Sequence, residues 1–319
     1  MPRRVTNLAL LAVTLGLVAS GLGGWVLPLD VASPLFPLHR ALGIALLLAL
    51  GWKVGLARRS FARRAARSDA TIAVGAGTAI ALVVSLGIGF AWSGGALGPA
   101  SVAGYSALNI HVFAGIALAL LTALHLALRW ETRPPLARAL SRRTALRVGA
   151  LGVAAVALAP VLDAVEPLRR LTGSKHAGSF TGNAMPVTTW TFDAVPAIDA
   201  AAWRLDVAGR LLSYEELRAL PRAEVVAVLD CTGGWWSEQR WRGPRLGDIL
   251  AEREAKEVRV VSVTGHAWSF PLDEARTMVL ATHLGDEPLS PSHGFPVRLV
   301  APGRRGFQWV KWIARIEIA

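Results

Sequence analysis

Hydrophobic and polar positions divide this 319-residue chain into two parts of different grain. Up to about residue 165 the apolar residues run together, over residues 8–29, 38–57, 71–92, 108–130 and 145–165. Each run is near the length of about 20 residues that a helix needs to cross a bilayer core. The pattern therefore predicts an all-α transmembrane bundle of about five spans. From Glu166 onward charges of both signs appear and the apolar runs shorten. Proline and glycine punctuate them. Strands are predicted at 203–207, 225–229, 258–263, 268–270, 278–281, 297–300 and 310–318. Helices are predicted at 213–219 and 246–253. Ser213 is placed as an N-cap, with Glu216 three residues on to complete a capping box. Many short strands with few short helices indicate a compact α+β domain. Residues 1–165 thus form a transmembrane helical domain and residues 166–319 a second domain of ordinary size.

Composition agrees with a membrane protein: 53% of residues are hydrophobic and only 18% charged. The formal net charge of +12 is not spread evenly. Arg3 and Arg4 precede the first span. Arg58, Arg59, Arg63, Arg64 and Arg67 follow the second. Arg129, Arg133, Arg138, Arg142, Arg143 and Arg147 lie between the fourth and fifth. The segments 30–37 and 93–107 contain no Lys or Arg. Positive loops stay inside, so the N-terminus is cytoplasmic and five crossings place the C-terminal domain outside the cytoplasm. A nucleic-acid partner is excluded by the same distribution, because the basic residues sit between apolar spans. The first span reads as a retained helix rather than a cleaved signal, since further spans follow it. Ser141-Arg142-Arg143 is similar to a twin-arginine export motif, a signal for domains that cross already folded.

Ionisable residues inside spans usually serve function. His39 opens the second span, and His111 and His125 both lie on the fourth. Their 14-residue separation is about 21 Å of helix and nearly four turns, which puts them on one face. The spacing resembles that of paired haem-ligand histidines in b-type cytochromes. That resemblance implies one haem b between His39 and His111, with Arg40 available to a propionate. A second haem would need a histidine partner for His125, but the matching position holds Lys53.

The chain has one cysteine, Cys231, in Leu229-Asp230-Cys231-Thr232-Gly233-Gly234-Trp235-Trp236. It cannot form an internal disulfide or a cysteine-rich metal site. It is a buried spectator, a nucleophile, or one thiolate ligand of a metal. The stretch CTGGWWSEQRWRGPRLGDIL from Cys231 resembles the metal-binding segment of the sulfite oxidase family of molybdopterin enzymes. So does ATHLGDEPLSPSHGFPVRLVAPGRRGFQWVKWIARIEI near the C-terminus.

The resemblance covers roughly residue 175 to the end and implies a sulfite-oxidase-like α+β fold. In that family one cysteine thiolate binds molybdenum, a dithiolene on the organic cofactor adds two sulfurs, and oxo groups complete the site. It implies Cys231 as the molybdenum ligand and catalytic residue. Asn183, His293, Arg298 and Lys311 are implied as contacts to a molybdopterin cofactor. The segment Phe180-Thr181-Gly182-Asn183-Ala184-Met185-Pro186-Val187 resembles the family's entry segment. Gly182 and Ala184 depart from the arginine and histidine of animal sulfite oxidases, and Asp206 lies where a sulfite-binding arginine is sought. Trp235, Trp236 and His266 are candidates to line a substrate pocket, while Arg304 and Arg305 read as solvated.

Together these readings describe a membrane-anchored molybdenum oxidoreductase acting on a small oxyanion or oxide, with a quinone or cytochrome as electron partner. Two alternatives stay open. One is a cytochrome-like electron carrier whose exported domain is inactive. The other is a membrane-anchored binding module on an old enzyme fold.

Overall fold

A computed structural model describes residues 3–65, 71–98, 101–102, 105–128, 141–188, 194–250 and 255–319. Arg67, Arg129, Arg133 and Arg138 fall outside the described residues. Two compact units emerge. One comprises Met1–Leu27, Val31–Gly98 and Ala107–Gly173; the other comprises Pro28–Asp30, Pro99–Ser106 and Ser174–Ala319.

The first unit is helical, with α1 (Arg3–Val26), short α2 (Leu29–Ala32), α3 (Leu35–Ala65), α4 (Thr71–Ser93), α5 (Ala107–Ala127) and α6 (Arg142–Ala164). Five helices are long and apolar enough to cross a membrane. Helix α1 stops at Val26, short of the expected residue 29, because Pro28 lacks an amide proton and disfavours helical geometry at Leu27. Ser141 caps α6 by accepting from the Thr144 amide, so Arg142 and Arg143 form its first turn. Residues 166–173 stay with the helices rather than with the domain that follows. Arg169 donates to Asp163 Oδ1 at 2.9 Å and to Ser93 O at 2.9 Å, and Trp92 Nε1 donates to Gly173 O at 2.8 Å.

The second unit is mixed α/β. Its strands are β1 (Ser101–Val102), β2 (Tyr105–Ser106), β3 (Lys175–His176), β4 (Arg204–Val207), β5 (Arg210–Ser213), β6 (Ala223–Asp230) and β7 (Trp235–Gly243). They continue with β8 (Glu257–Ser262), β9 (Ala267–Pro271), β10 (Val279–Ala281), β11 (His283–Leu284), β12 (Glu287–Pro288), β13 (Arg298–Val300) and β14 (Ile313–Ile318). Helices α7 (Tyr214–Ala219), α8 (Leu246–Leu250) and α9 (Leu272–Thr277) connect them. One five-stranded sheet runs β12-β11-β7-β3 with β6 also on β7, and the other runs β5-β4-β14-β8-β9. Ser213 caps α7, and Glu216 completes the capping box.

Sheet and helix side chains share one apolar core containing Trp241, Trp309, Leu205, Phe270, Leu280 and Ile316. Strand β7 organises the first sheet. Its inward positions, Trp235, Ser237, Gln239 and Trp241, alternate with Trp236, Glu238, Arg240 and Arg242 on the other face. Two of the inward residues are polar, and each is paired. Ser237 Oγ donates to Gly178 O at 2.6 Å, and Gln239 Nε2 donates to Thr181 Oγ1 at 3.1 Å. Strand β7 thereby holds the chain from Gly178 to Gly182 against the sheet.

Candidate active site around Cys231

Cys231 sits at the turn between β6 and β7. Its amide donates to Trp235 O at 2.9 Å, and the Gly234 amide donates back to Cys231 O at 3.0 Å. These bonds fix the direction of the side chain. The sulfur lies 3.3 Å from the Gly233 amide, which donates to it, and 3.4 Å from Thr188 Oγ1. Behind the turn Gly306 packs against the cysteine backbone. A Cβ at 306 would stand 2.9 Å from Cys231 Cα, so no larger residue fits there without displacing the cysteine turn.

A buried ion pair braces the same turn. Asp230 and Arg305 are 0% and 3% exposed, and Arg305 Nη1 donates to Asp230 Oδ1 at 2.5 Å. Ser174 Oγ donates to the same oxygen at 2.6 Å. Arg305 is therefore not a solvated surface residue. Nor is Arg304, whose guanidinium makes a paired contact with Glu274. Removing one partner of a buried pair leaves the other charge uncompensated. Asp230→Ala is expected to cost about 3–5 kcal/mol. Thermal melts of the detergent-purified chain would show this as a large fall in Tm, and an unchanged melt would remove the brace.

The cations facing the sulfur differ in kind. Arg298 is 3% exposed and stacks over Trp241, 5.0 Å from its ring centroid. It donates from Nη1 to His293 O at 3.1 Å, while its buried Nε has no hydrogen-bond partner. Among the described residues no carboxylate pairs with it. Burial lowers its pKa to about 10, and the Cys231 thiolate pulls it back up. Lys311 Nζ donates to Ser292 O at 3.2 Å and to Thr188 O at 3.4 Å. Burial pushes the Cys231 thiol up; the bonds from Thr188 and Gly233 and the charges of Arg305 and Lys311 oppose that shift. Among the described residues no three His, Cys, Asp or Glu side chains converge as metal ligands, so a metal at Cys231 has to bring its other ligands with it. A sulfur ligand beside a buried cation of unspent charge suits an anionic metal cofactor. The residues fit such a group.

The other residues singled out from the sequence divide clearly. His293 uses both ring nitrogens. Nε2–H donates to Met185 O at 3.1 Å, so Nδ1 accepts from Ser290 Oγ at 2.6 Å. Burial, reinforced by the Arg298 charge, holds its pKa down to about 4, and the ring is neutral near pH 7. Asn183 is also fully engaged. It donates to Pro288 O at 2.9 Å and accepts from the Ser290 amide at 2.9 Å. These two side chains tie the entry segment to the β12 loop. Trp235 is buried beside the cysteine, while Trp236 lies on the opposite face of β7 with its ring 4.5 Å from His176. His266 bonds Phe307 O at 2.8 Å on the β8–β9 turn. Asp206 accepts from the Gly209 amide at 2.7 Å and closes the β4–β5 turn. The sequence reading missed Thr188, Ser174, Asp230 and Gly306. Only the aspartate beside the cysteine carried a local signal, and its partner is 75 residues away.

A second cluster lies in the helical unit. The His39 and His111 rings have centroids 6.0 Å apart and planes at 83°. His111 Nδ1 lies 2.8 Å from Ser85 O, which can only accept, so that nitrogen carries the proton. Ser20 Oγ donates to Gly16 O at 2.7 Å and therefore accepts from His39 Nδ1 at 3.0 Å. In both rings the lone pair then belongs to Nε2, the form that binds metals. Elsewhere in this unit Lys53 Nζ donates to Asn7 Oδ1 at 2.6 Å.

Comparison with known proteins agrees with the second unit. Residues 192–319 match the family model described as oxidoreductase molybdopterin binding domain. Mitochondrial sulfite oxidase of Drosophila melanogaster is 32% identical over 163 residues, covering 39% of this chain and 28% of that protein. An uncharacterized oxidoreductase, YuiH of Bacillus subtilis (strain 168), is 35% identical over 131 residues, covering 37% of this chain and 66% of that protein. The sulfane dehydrogenase SoxCD of Paracoccus pantotrophus matches over 43% of this chain and 45% of that one, with 24% identity and a TM-score of 0.38. The chain thus spans less than a third of the length of the curated sulfite oxidase.

Proposed function

With a C-terminal molybdopterin-binding oxidoreductase domain as premise, we propose that this chain is a membrane-anchored molybdenum enzyme of sulfite oxidase type. It transfers an oxygen atom to or from a small oxyanion or oxide and exchanges two electrons through its helical unit or a quinone or cytochrome partner. The observation that carries this reading is the lone cysteine sulfur within electrostatic reach of Arg298, a buried cation with no carboxylate partner among the described residues. When bound, the molybdenum cofactor supplies the oxygen-atom chemistry. The chain supplies ligation and charge. Cys231 binds the metal, and Arg298 and Lys311 hold the anionic cofactor. His293 and Asn183 serve that pocket by fixing the segment that closes it.

The helices anchor the enzyme in the cell membrane. The arginine distribution supports a cytoplasmic N-terminus and an extracytoplasmic catalytic domain. The Arg142–Arg143 pair supports export of that domain already folded. One haem b between His39 and His111 would carry electrons, supported by their spacing and by the two Nε2 lone pairs. The Lys53–Asn7 bond speaks for one haem rather than two.

The test is elemental analysis for molybdenum and iron on detergent-purified protein, with a reduced-minus-oxidised optical spectrum. About one molybdenum per chain with a b-type band is the expected result. Absence of molybdenum from protein made in a host that synthesises the cofactor would overturn the reading.

A further inference from the structure

Thr188 lies outside every motif, yet four groups converge on it. Trp235 Nε1 donates to its hydroxyl at 3.0 Å, and Lys311 Nζ donates to its carbonyl at 3.4 Å. The Cys231 sulfur lies 3.4 Å from the hydroxyl. Gly233 makes room for it, since a Cβ there would come within 2.6 Å of Thr188 Oγ1.

Donor chemistry orients this contact. An indole N–H can only donate, so the threonine oxygen must accept from Trp235. A hydroxyl has one proton, and with a lone pair occupied by the indole that proton is left for the sulfur. A protonated thiol can donate to Thr188, but a metal-bound thiolate has no proton and must accept.

We propose that Trp235 and Thr188 form a hydrogen-bond relay into the Cys231 sulfur that sets the reduction potential of the metal bound there. The inference rests on Cys231 being the metal ligand. The sulfur then accepts two bonds, one from the Gly233 amide at 3.3 Å and one from Thr188. Hydrogen bonds to a thiolate ligand withdraw electron density from it and weaken its donation to the metal. The oxidised metal loses more by this than the reduced metal, so the relay raises the potential. The lysine fixes the threonine backbone and the buried indole fixes its hydroxyl, so the bond is held before the metal arrives.

The test compares Thr188→Val, which keeps the shape and removes the hydroxyl, with Thr188→Ser, which keeps the hydroxyl, and Trp235→Phe, which removes the indole donor. Molybdenum content and the molybdenum midpoint potential are measured together on the full-length chain. Thr188→Val is expected to retain molybdenum with a lower potential. Thr188→Ser should restore the wild-type value, and Trp235→Phe should shift it the same way by less. If Thr188→Val does not load the metal, Trp235→Phe decides by the same shift. Loaded variants with the wild-type potential would overturn the relay and leave the enzyme assignment intact. Wild-type protein without molybdenum would overturn both.

Discussion

Cys231→Ser is expected to abolish turnover while leaving much of the molybdenum cofactor on the protein. The two effects separate because two sets of groups act. On the proposed function Cys231 supplies the thiolate ligand, and an alkoxide or hydroxyl oxygen is a poor substitute for a thiolate. The cofactor's anionic part would be held instead by Arg298 and Lys311, which the substitution does not touch. Serine is also nearly the same size as cysteine, so the turn closed by the Trp235 and Gly234 backbone bonds survives. Molybdenum content of at least half the wild-type value, an altered molybdenum(V) resonance and undetectable turnover form the expected set. Full activity in this variant would remove Cys231 from the metal.

His111→Ala is expected to eliminate the b-type optical band, and His39→Ala is expected to do the same. On the proposed function each ring supplies its Nε2 to one haem iron, so loss of either would leave that iron a single protein ligand. His125→Ala should leave the band in place, because position 53, fourteen residues after His39, holds Lys53, which donates to Asn7 Oδ1, rather than a histidine. The reduced-minus-oxidised spectrum reads all three variants. A band that survives both His39→Ala and His111→Ala would place any haem elsewhere. Molybdenum content should be unchanged throughout, since these residues belong to the helical unit.

The two expectations differ in how far the sequence alone carries them. The five helices were legible because a run of about 20 apolar residues has few alternatives. Some ends moved by a few residues, as at Pro28 and at the Ser141 cap, while α3 runs to Ala65, well past the expected residue 57. The capping box of Ser213 and Glu216 was legible for a similar reason, being a contact within one turn. Strand β7 was not. Its inward face carries Ser237 and Gln239, so the alternation that marks a half-buried strand is masked by polar residues. Those residues are buried because Gly178 and Thr181, some 60 positions earlier, complete their hydrogen bonds.

The site shows the same division. Sequence determined that one cysteine sits in a glycine-rich turn, that cationic residues follow it late in the chain, and that two histidines share a helix face. These are facts of local order and spacing. Tertiary structure decided which cation is spent and which is not. Arg305 looked like a solvated turn residue, yet it is sealed against Asp230, while Arg298 keeps its charge without a carboxylate partner among the described residues. It also showed that His293 and Asn183 brace the entry segment, and it brought Thr188 to the sulfur. The physical reason is that burial and hydrogen-bond pairing depend on partners distant in sequence, and a residue's type fixes its chemistry without fixing its partner.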